Sequence, residues 1–195
     1  MDGFVLWITG LCGSGKTALA KEIEPLLKKR GRNCEILDGN EVRALISSEL
    51  GFTAEDRKLH NKRVIHIAKL LARNGVGVLV SLISPYRETR AFARGELPNF
   101  VEVWTKCSLK ICEVRDKKGL YKKARSGEIS DFTGIQHPYE EPENPEVMVD
   151  TENESPSEGA RKVIDKLEEL GLISAYSKEE EETVKKRLED LGYLG

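Results

Sequence analysis

Residues 10–17 read Gly-Leu-Cys-Gly-Ser-Gly-Lys-Thr and follow directly on the apolar run Phe4-Val5-Leu6-Trp7-Ile8. The spacing G-x-x-x-x-G-K-[ST], placed after a strand and opening a helix, is that of a phosphate-binding loop. Its glycines let the backbone curl so that several N–H groups converge on one point. The helix that begins near Thr17 aims its positive end at the same point. Gly10, Gly13, Ser14, Gly15, Lys16 and Thr17 are therefore the expected donor side of a nucleotide site. Lys16 reaches toward the β- and γ-phosphates of a nucleoside triphosphate, and the Thr17 hydroxyl suits Mg²⁺.

The loop alone does not choose between a kinase, a GTPase and an ATP-driven machine. No Asn-Lys-x-Asp guanine signature is present, and the third strand, Val76-Gly77-Val78-Leu79-Val80-Ser81-Leu82, ends on no carboxylate. The acid ends the second strand instead, at Asp38, where it is placed to orient an acceptor hydroxyl or to hold a metal-bound water. Asp38 is equally a helix-capping residue, and the two roles are compatible. Arg57 and Asn61 stand four apart on one helix face, and Arg43 lies just after Asp38, so an anionic ligand is expected beside them. Together these features favour a small-molecule kinase. A kinase for another nucleotide or a sugar, or an ATP-binding module without turnover, stays open on these residues.

The elements that must position these groups alternate strand and helix. Strands are predicted over 5–9, 34–37, 76–82, 100–104 and 147–149. Helices are predicted over 17–29, 41–48, from Thr53 to Asn74-Gly75, over 86–94 and over 109–115, with a last one capped by Ser157. Thr53 and Asp56 have capping-box spacing, with Asp for the usual Glu or Gln. Val64, Ile67, Ala68 and Leu71 recur with helical period and should face the core, as should Ala160, Val163, Ile164, Leu167 and Leu170 in the last helix. The reading is an α/β, three-layer P-loop fold with a mostly parallel five-stranded sheet. In such sheets a ligand lies beyond the C-terminal strand ends, which gathers residues 10–17, Asp38 and residues 81–87 around one crevice. Residues 117–146, rich in Lys, Gly, Pro and Glu, break the rhythm and are expected to form a mobile lid. Residues 1–173 make the kinase domain. Residues 174–195 form a helical extension with the narrow apolar stripe Val184, Leu188 and Leu191.

Bulk properties exclude several classes. A net charge of −2 over 195 residues supplies no global field for nucleic acid or an anionic membrane. The apolar N-terminal run is too short for a signal peptide or a membrane span, so the cytoplasm is the expected location. Cys12, Cys34, Cys107 and Cys112 show no C-x-x-C spacing, and His60, His66 and His137 are scattered, so neither a zinc site nor a disulfide framework is expected.

Further blocks carry a family resemblance: Leu37-Asp38-Gly39, Val42-Arg43, Leu50-Gly51-Phe52, Asp56-Arg57 with Asn61 and Arg63, and Ile83-Ser84-Pro85-Tyr86-Arg87. Then come Gly119-Leu120-Tyr121-Lys122-Lys123-Ala124-Arg125, Phe132-Thr133-Gly134-Ile135, and the run from Pro138-Tyr139-Glu140 to Glu146. Over roughly residues 4–172 the chain closely resembles the adenylylsulfate kinases. The resemblance implies ATP- and Mg²⁺-dependent phosphorylation of the ribose 3′-hydroxyl of adenosine 5′-phosphosulfate (APS), giving 3′-phosphoadenosine 5′-phosphosulfate (PAPS) and ADP in sulfate activation. It also implies a homodimer.

The resemblance further assigns roles. Arg43, Phe52, Arg57, Asn61, Ile83 and Ser84 surround the acceptor, and Phe132 stacks on its adenine. Lys122 and Lys123 bring charge over the phosphates on lid closure. Arg115 lies against the ATP adenine, since a planar guanidinium stacks on aromatic rings, or else satisfies carbonyls at a helix end. Thr17 and Asp38 hold the metal, and Lys16, Asp38 and Ser84 serve the reaction. The family describes the serine at Ser84 as a phosphoenzyme position, yet direct in-line transfer needs no protein nucleophile. The expectation is therefore direct transfer with Ser84 in the acceptor pocket. Two departures stand out: Asn40 where the family usually has Asp, and His60 where it often has Glu. Cys12 is expected to turn away from the phosphates.

Overall fold

The computed structural model describes residues 2–174 and, beyond them, residues 183, 186, 187 and 189. The predicted tail helix over 177–195, with Val184, Leu188 and Leu191, lies outside the described residues.

Strand β1 (Phe4–Thr9) is buried along its whole length. It is the middle strand of a five-stranded, all-parallel sheet with β2 (Cys34–Asp38), β3 (Gly77–Ser81), β4 (Phe100–Lys106) and β5 (Val147–Asp150), in the order β2-β3-β1-β4-β5. A central parallel strand has helices on both faces, which is why β1 and β3 read as near-continuous apolar runs. Successive side chains of β1 part to opposite sides. Phe4, Leu6 and Ile8 pack with Leu19, Ile23 and Leu27 of α1 (Lys16–Lys29) and with Val163 and Leu167 of α7 (Pro156–Glu169). Val5 and Trp7 pack with Val64, Ile65 and Ala68 of α3 (Ala54–Ala72) and with Ala93 of α4 (Arg87–Glu96). The predicted three-layer architecture is thus present. Each of the fully buried Leu and Ile side chains contributes about 1.5–3 kcal/mol relative to exposure.

The chain reverses its strand order on either side of β1, with β3 to one side and β4 to the other. The crevice beyond the strand ends opens at this point. Asp38 at the end of β2 is in register with Ser81 at the end of β3, so the two polar groups stand side by side next to the phosphate loop.

Several predicted details shift. The helix expected at 41–48 is α2 (Gly39–Ile46), because Asp38 caps it by accepting from the Asn40 N–H. The Thr53 cap forms half a capping box: Thr53 accepts from the Asp56 N–H, but the short Asp side chain takes the Thr53 hydroxyl rather than its backbone. Helix α7 is capped by Ser155 rather than Ser157. A full capping box with Glu158 and Pro156 at the helix start outweighs the later serine. Leu170 is 46% exposed, and Ile173 fills the core place expected for it.

The segment 117–146 holds more structure than its composition predicts. After α5 (Leu109–Val114) it forms α6 (Leu120–Arg125), which buries Tyr121 and Ala124, and then a bridge between Thr133 and His137. Its far end is pinned by Glu140, which accepts from the Arg87 N–H at 2.7 Å, and by Glu146, paired with Arg94. Among the described residues no helix is long and apolar enough to cross a membrane.

Candidate active site

A cleft of about 870 Å³ opens at the C-terminal ends of β1, β2 and β3. Its wall carries Lys16, Lys21, Arg43, Arg57, Arg115 and Lys117, against Asp38 as the one carboxylate among the described lining residues. Such a concentration of positive charge in a chain of net charge −2 marks a site for anionic ligands.

The phosphate loop forms one end. Gly13 (φ 79°) and Gly15 (φ 88°) sit in the left-handed region that glycine alone enters without strain, and Gly15, at the N-cap of α1, supplies no side-chain cap. The first-turn N–H groups of α1 are left for an anion. Lys16 folds over the loop, its Nζ donating to the carbonyls of Gly10 (3.0 Å) and Leu11 (2.6 Å). Burial pushes its ammonium down to about 8, opposed by Cys12, Cys112 and Asp38.

Gly10 and Ser14, expected to contact phosphate, do not line the cleft; they build the loop from behind. The buried Ser14 hydroxyl pairs with Thr105 Oγ1 at 2.7 Å, and the Ser14 N–H is given to the Leu11 carbonyl. Cys12 is among the lining residues, and its carbonyl accepts from Tyr121 Oη at 2.8 Å.

Thr17 Oγ1 donates to Asp38 Oδ2 at 2.7 Å and lies 3.3 Å from Ser81 Oγ. Three oxygens thus meet beside the phosphate loop. An all-oxygen corner with a single carboxylate fits Mg²⁺, which takes one or two carboxylates and completes its shell with water and substrate phosphates. Among the described residues no cluster of three or more His, Cys, Asp or Glu side chains offers a different metal site. Asp38 Oδ1 is committed to the Asn40 N–H at 2.9 Å, leaving Oδ2 for Thr17 or a ligand. Asn40 lines the cleft without adding charge.

The opposite end is built on α2 and α3. The Phe52 ring lies between two guanidiniums, Arg43 at 4.8 Å and Arg57 at 5.5 Å. Arg43 donates to the Gly51 carbonyl (2.8 Å). Arg57 donates to the carbonyls of Phe52 (2.9 Å) and Asp131 (2.7 Å), which ties the lid segment to this wall. Burial lowers both guanidinium pKa values, and both residues stay charged. Asn61 lines the same wall, as the four-residue spacing predicts.

Ile83 and Ser84 form the third side. Ser84 is buried and held at φ 43°, an uncommon conformation for a residue with a Cβ. Three hydrogen bonds hold this segment. Trp7 Nε1 donates to Ser84 Oγ (3.0 Å), Thr9 Oγ1 donates to the Ile83 carbonyl (2.7 Å), and Arg90 Nη1 donates to the Ser84 carbonyl (2.6 Å). Arg90 is itself buried, paired with Glu102 at 2.8 Å and lying beneath Tyr139. Sequence reasoning missed Arg90 and Glu102, which no local motif marks, and gave Tyr139 no role although it stands in one of the matching blocks.

Arg115 reaches the cleft from the end of α5, its Nη2 donating to the Thr151 carbonyl at 2.7 Å. The carbonyl it satisfies lies just past β5 rather than at the end of its own helix, and anchoring along one edge leaves the planar face of the guanidinium for an aromatic ligand. Lys122 and Phe132 are not brought to the cleft wall. Lys122 is exposed, and the Phe132 ring packs edge-on against Tyr121 at 4.9 Å, a contact that competes with stacking on a base. His60, given no role from sequence, does line the cleft.

Fold and cleft define a P-loop phosphotransferase with a strongly cationic acceptor side. Residues 2–150 match the family model for adenylylsulphate kinase. An adenylyl-sulfate kinase of Rippkaea orientalis is 50% identical over 173 residues, covering 89% of this chain and 96% of that protein. A probable bifunctional SAT/APS kinase of Sorangium cellulosum is 49% identical over 173 residues, and this chain spans 30% of its length. The solved structure of the Mycobacterium tuberculosis APS kinase in complex with AMPPNP and APS superposes with a TM-score of 0.81 at 44% identity, covering 86% of this chain and 98% of that one. The chain belongs to the adenylylsulfate kinase family.

Proposed function

We infer that this chain transfers the γ-phosphoryl group of ATP to the ribose 3′-hydroxyl of APS, forming PAPS and ADP. The observation that carries this is the single cleft that joins a complete phosphate loop to an arginine-rich acceptor wall, with Asp38 between them. The phosphate loop and Lys16 hold the triphosphate of ATP, and Arg115 offers its face to the adenine. Thr17 and Asp38 hold Mg²⁺, which when bound neutralises charge on the transferring phosphoryl group. Arg43, Phe52, Arg57 and Asn61 bind APS, orienting its 3′-hydroxyl toward the loop. Asp38, beside both, orients the hydroxyl as its oxygen attacks phosphorus and ADP leaves.

Ser84 acts by position, not as a nucleophile. Its hydroxyl oxygen is already the acceptor for the Trp7 indole, and attack through it would cost that buried bond. Residues 117–146 close over the bound substrates. Phe132 leaves Tyr121 to stack on the acceptor adenine, and Lys122 comes over the phosphates, excluding water that would otherwise take the phosphoryl group. Residues 1–173 are the catalytic unit, assembled as a homodimer in the cytoplasm.

The test is ADP production with Mg-ATP and APS, with AMP and adenosine as control acceptors. Turnover with APS alone supports the reading. Equal turnover with a control acceptor overturns the substrate assignment.

A further inference from the structure

The His60 ring is 2% exposed yet forms part of the cleft wall, one helical turn beyond Arg57. Its Nδ1 meets Ser47 Oγ at 3.0 Å, and its Nε2 is buried without a partner among the described residues. An orphaned buried nitrogen in a cleft wall is costly unless a ligand completes it.

The surroundings fix which nitrogen carries the proton. A guanidinium only donates, so Ser47 Oγ accepts from Arg63 Nη1, 3.3 Å away. Ser47 is fully buried, and among the described residues His60 Nδ1 is the acceptor within reach of its hydroxyl proton. Ser47 therefore donates to Nδ1, and the proton of the neutral ring sits on Nε2. Burial, with Arg43, Arg63 and Arg57 nearby, pushes the imidazole down to about 4, so the ring is neutral at pH 7. An unpaired neutral N–H within the wall that also carries Arg43 and Arg57 calls for an oxygen acceptor on the anion that those guanidiniums attract.

We propose that His60 is a specificity-determining residue for the acceptor: its Nε2–H donates to an oxygen of the phosphosulfate held by Arg43 and Arg57, with Arg63 and Ser47 fixing the tautomer. This rests on the function proposed above.

The experiment compares KM for APS, KM for ATP and kcat in the wild type, His60→Ala and Ser47→Ala. Nitrogen-15 histidine NMR of the wild type runs beside it. His60→Ala is expected to raise KM for APS about tenfold, with KM for ATP and kcat within about twofold. Ser47→Ala gives a smaller rise, in KM for APS alone. The spectrum shows the Nε2–H tautomer, with its signal moved by APS and not by adenosine. An unchanged KM for APS in His60→Ala, or an Nδ1–H tautomer in the wild type, overturns the proposal, and the spectrum decides even if a variant fails to fold. A wild type without APS-dependent ADP release overturns the functional reading itself, and this inference with it.

Discussion

Lowering the pH should unfold this protein partly through His60. The buried ring meets Ser47, with Arg43 of α2 and Arg57 and Arg63 of α3 nearby. Burial first, then these three guanidiniums, push its pKa from 6.5 down to about 4. Between those values the unfolded chain binds a proton that the folded ring refuses, so stability falls as the pH falls from about 6.5 toward 4. Integrated from pH 7.5 to pH 5.0, the loss is about 2 kcal/mol. Other carboxylates and histidines titrate over the same range, so the measurement is a difference. His60→Gln keeps a polar amide at the site and removes the titration. Urea unfolding of both proteins at pH 7.5 and 5.0 gives the free-energy gap between them at each pH. The gap should shift by about 2 kcal/mol in favour of the glutamine variant at pH 5.0. A gap constant within about 0.5 kcal/mol would refute the reasoning, since His60 would then titrate alike in both states.

Gly10→Ala should destabilise by about 3 kcal/mol and lower Tm by roughly 6–12 °C in a thermal melt, since overpacking here meets backbone and a buried hydroxyl pair. Its Cβ would stand 2.3 Å from Thr105 Oγ1, 2.5 Å from Ser14 Oγ and 2.7 Å from the Thr105 carbonyl. A drop under about 2 °C would show that the loop yields. Arg90→Met should cost about 3 kcal/mol in chemical unfolding by leaving Glu102 buried with only the longer Arg94 contact, and Glu102→Leu added to it should recover much of the loss. Ser84→Ala should cost about 1–3 kcal/mol by orphaning the Trp7 indole, yet keep turnover within about tenfold of the wild type. Near-complete loss of turnover with both substrates still bound would instead assign Ser84 a covalent role.

The parts of the site that the sequence makes legible are those built locally. The phosphate loop is eight contiguous residues whose glycine positions carry their own geometry. Arg57 and Asn61 share a helix face, and Asp38 ends a strand. Strands β1 and β3 were legible too, because a parallel strand buried on both faces reads as a near-continuous apolar run. The hidden parts depend on distance along the chain. Trp7 reaches Ser84 across 77 positions, and Arg90 reaches the Glu140 carbonyl across 50. Neither contact follows from any local periodicity. His60 was hidden for another reason: a histidine beside Asn61 reads as a surface or core residue until its unpaired nitrogen is seen in the cleft wall. The order within residues 117–146 was hidden because composition registers their polarity and not the few anchors that hold them, namely Tyr121 on Cys12, Glu140 on Arg87 and Glu146 on Arg94.

The central claim is that this cleft moves one phosphoryl group from ATP to the 3′-oxygen of APS. The most direct test incubates the enzyme with Mg-ATP and APS and locates the new phosphate on the product by phosphorus NMR and mass spectrometry. The account predicts one added phosphoryl group on the ribose 3′-oxygen, with the phosphosulfate intact and ADP formed in equal amount. ATP consumed without that product, or a phosphate found elsewhere on the nucleotide, would contradict it.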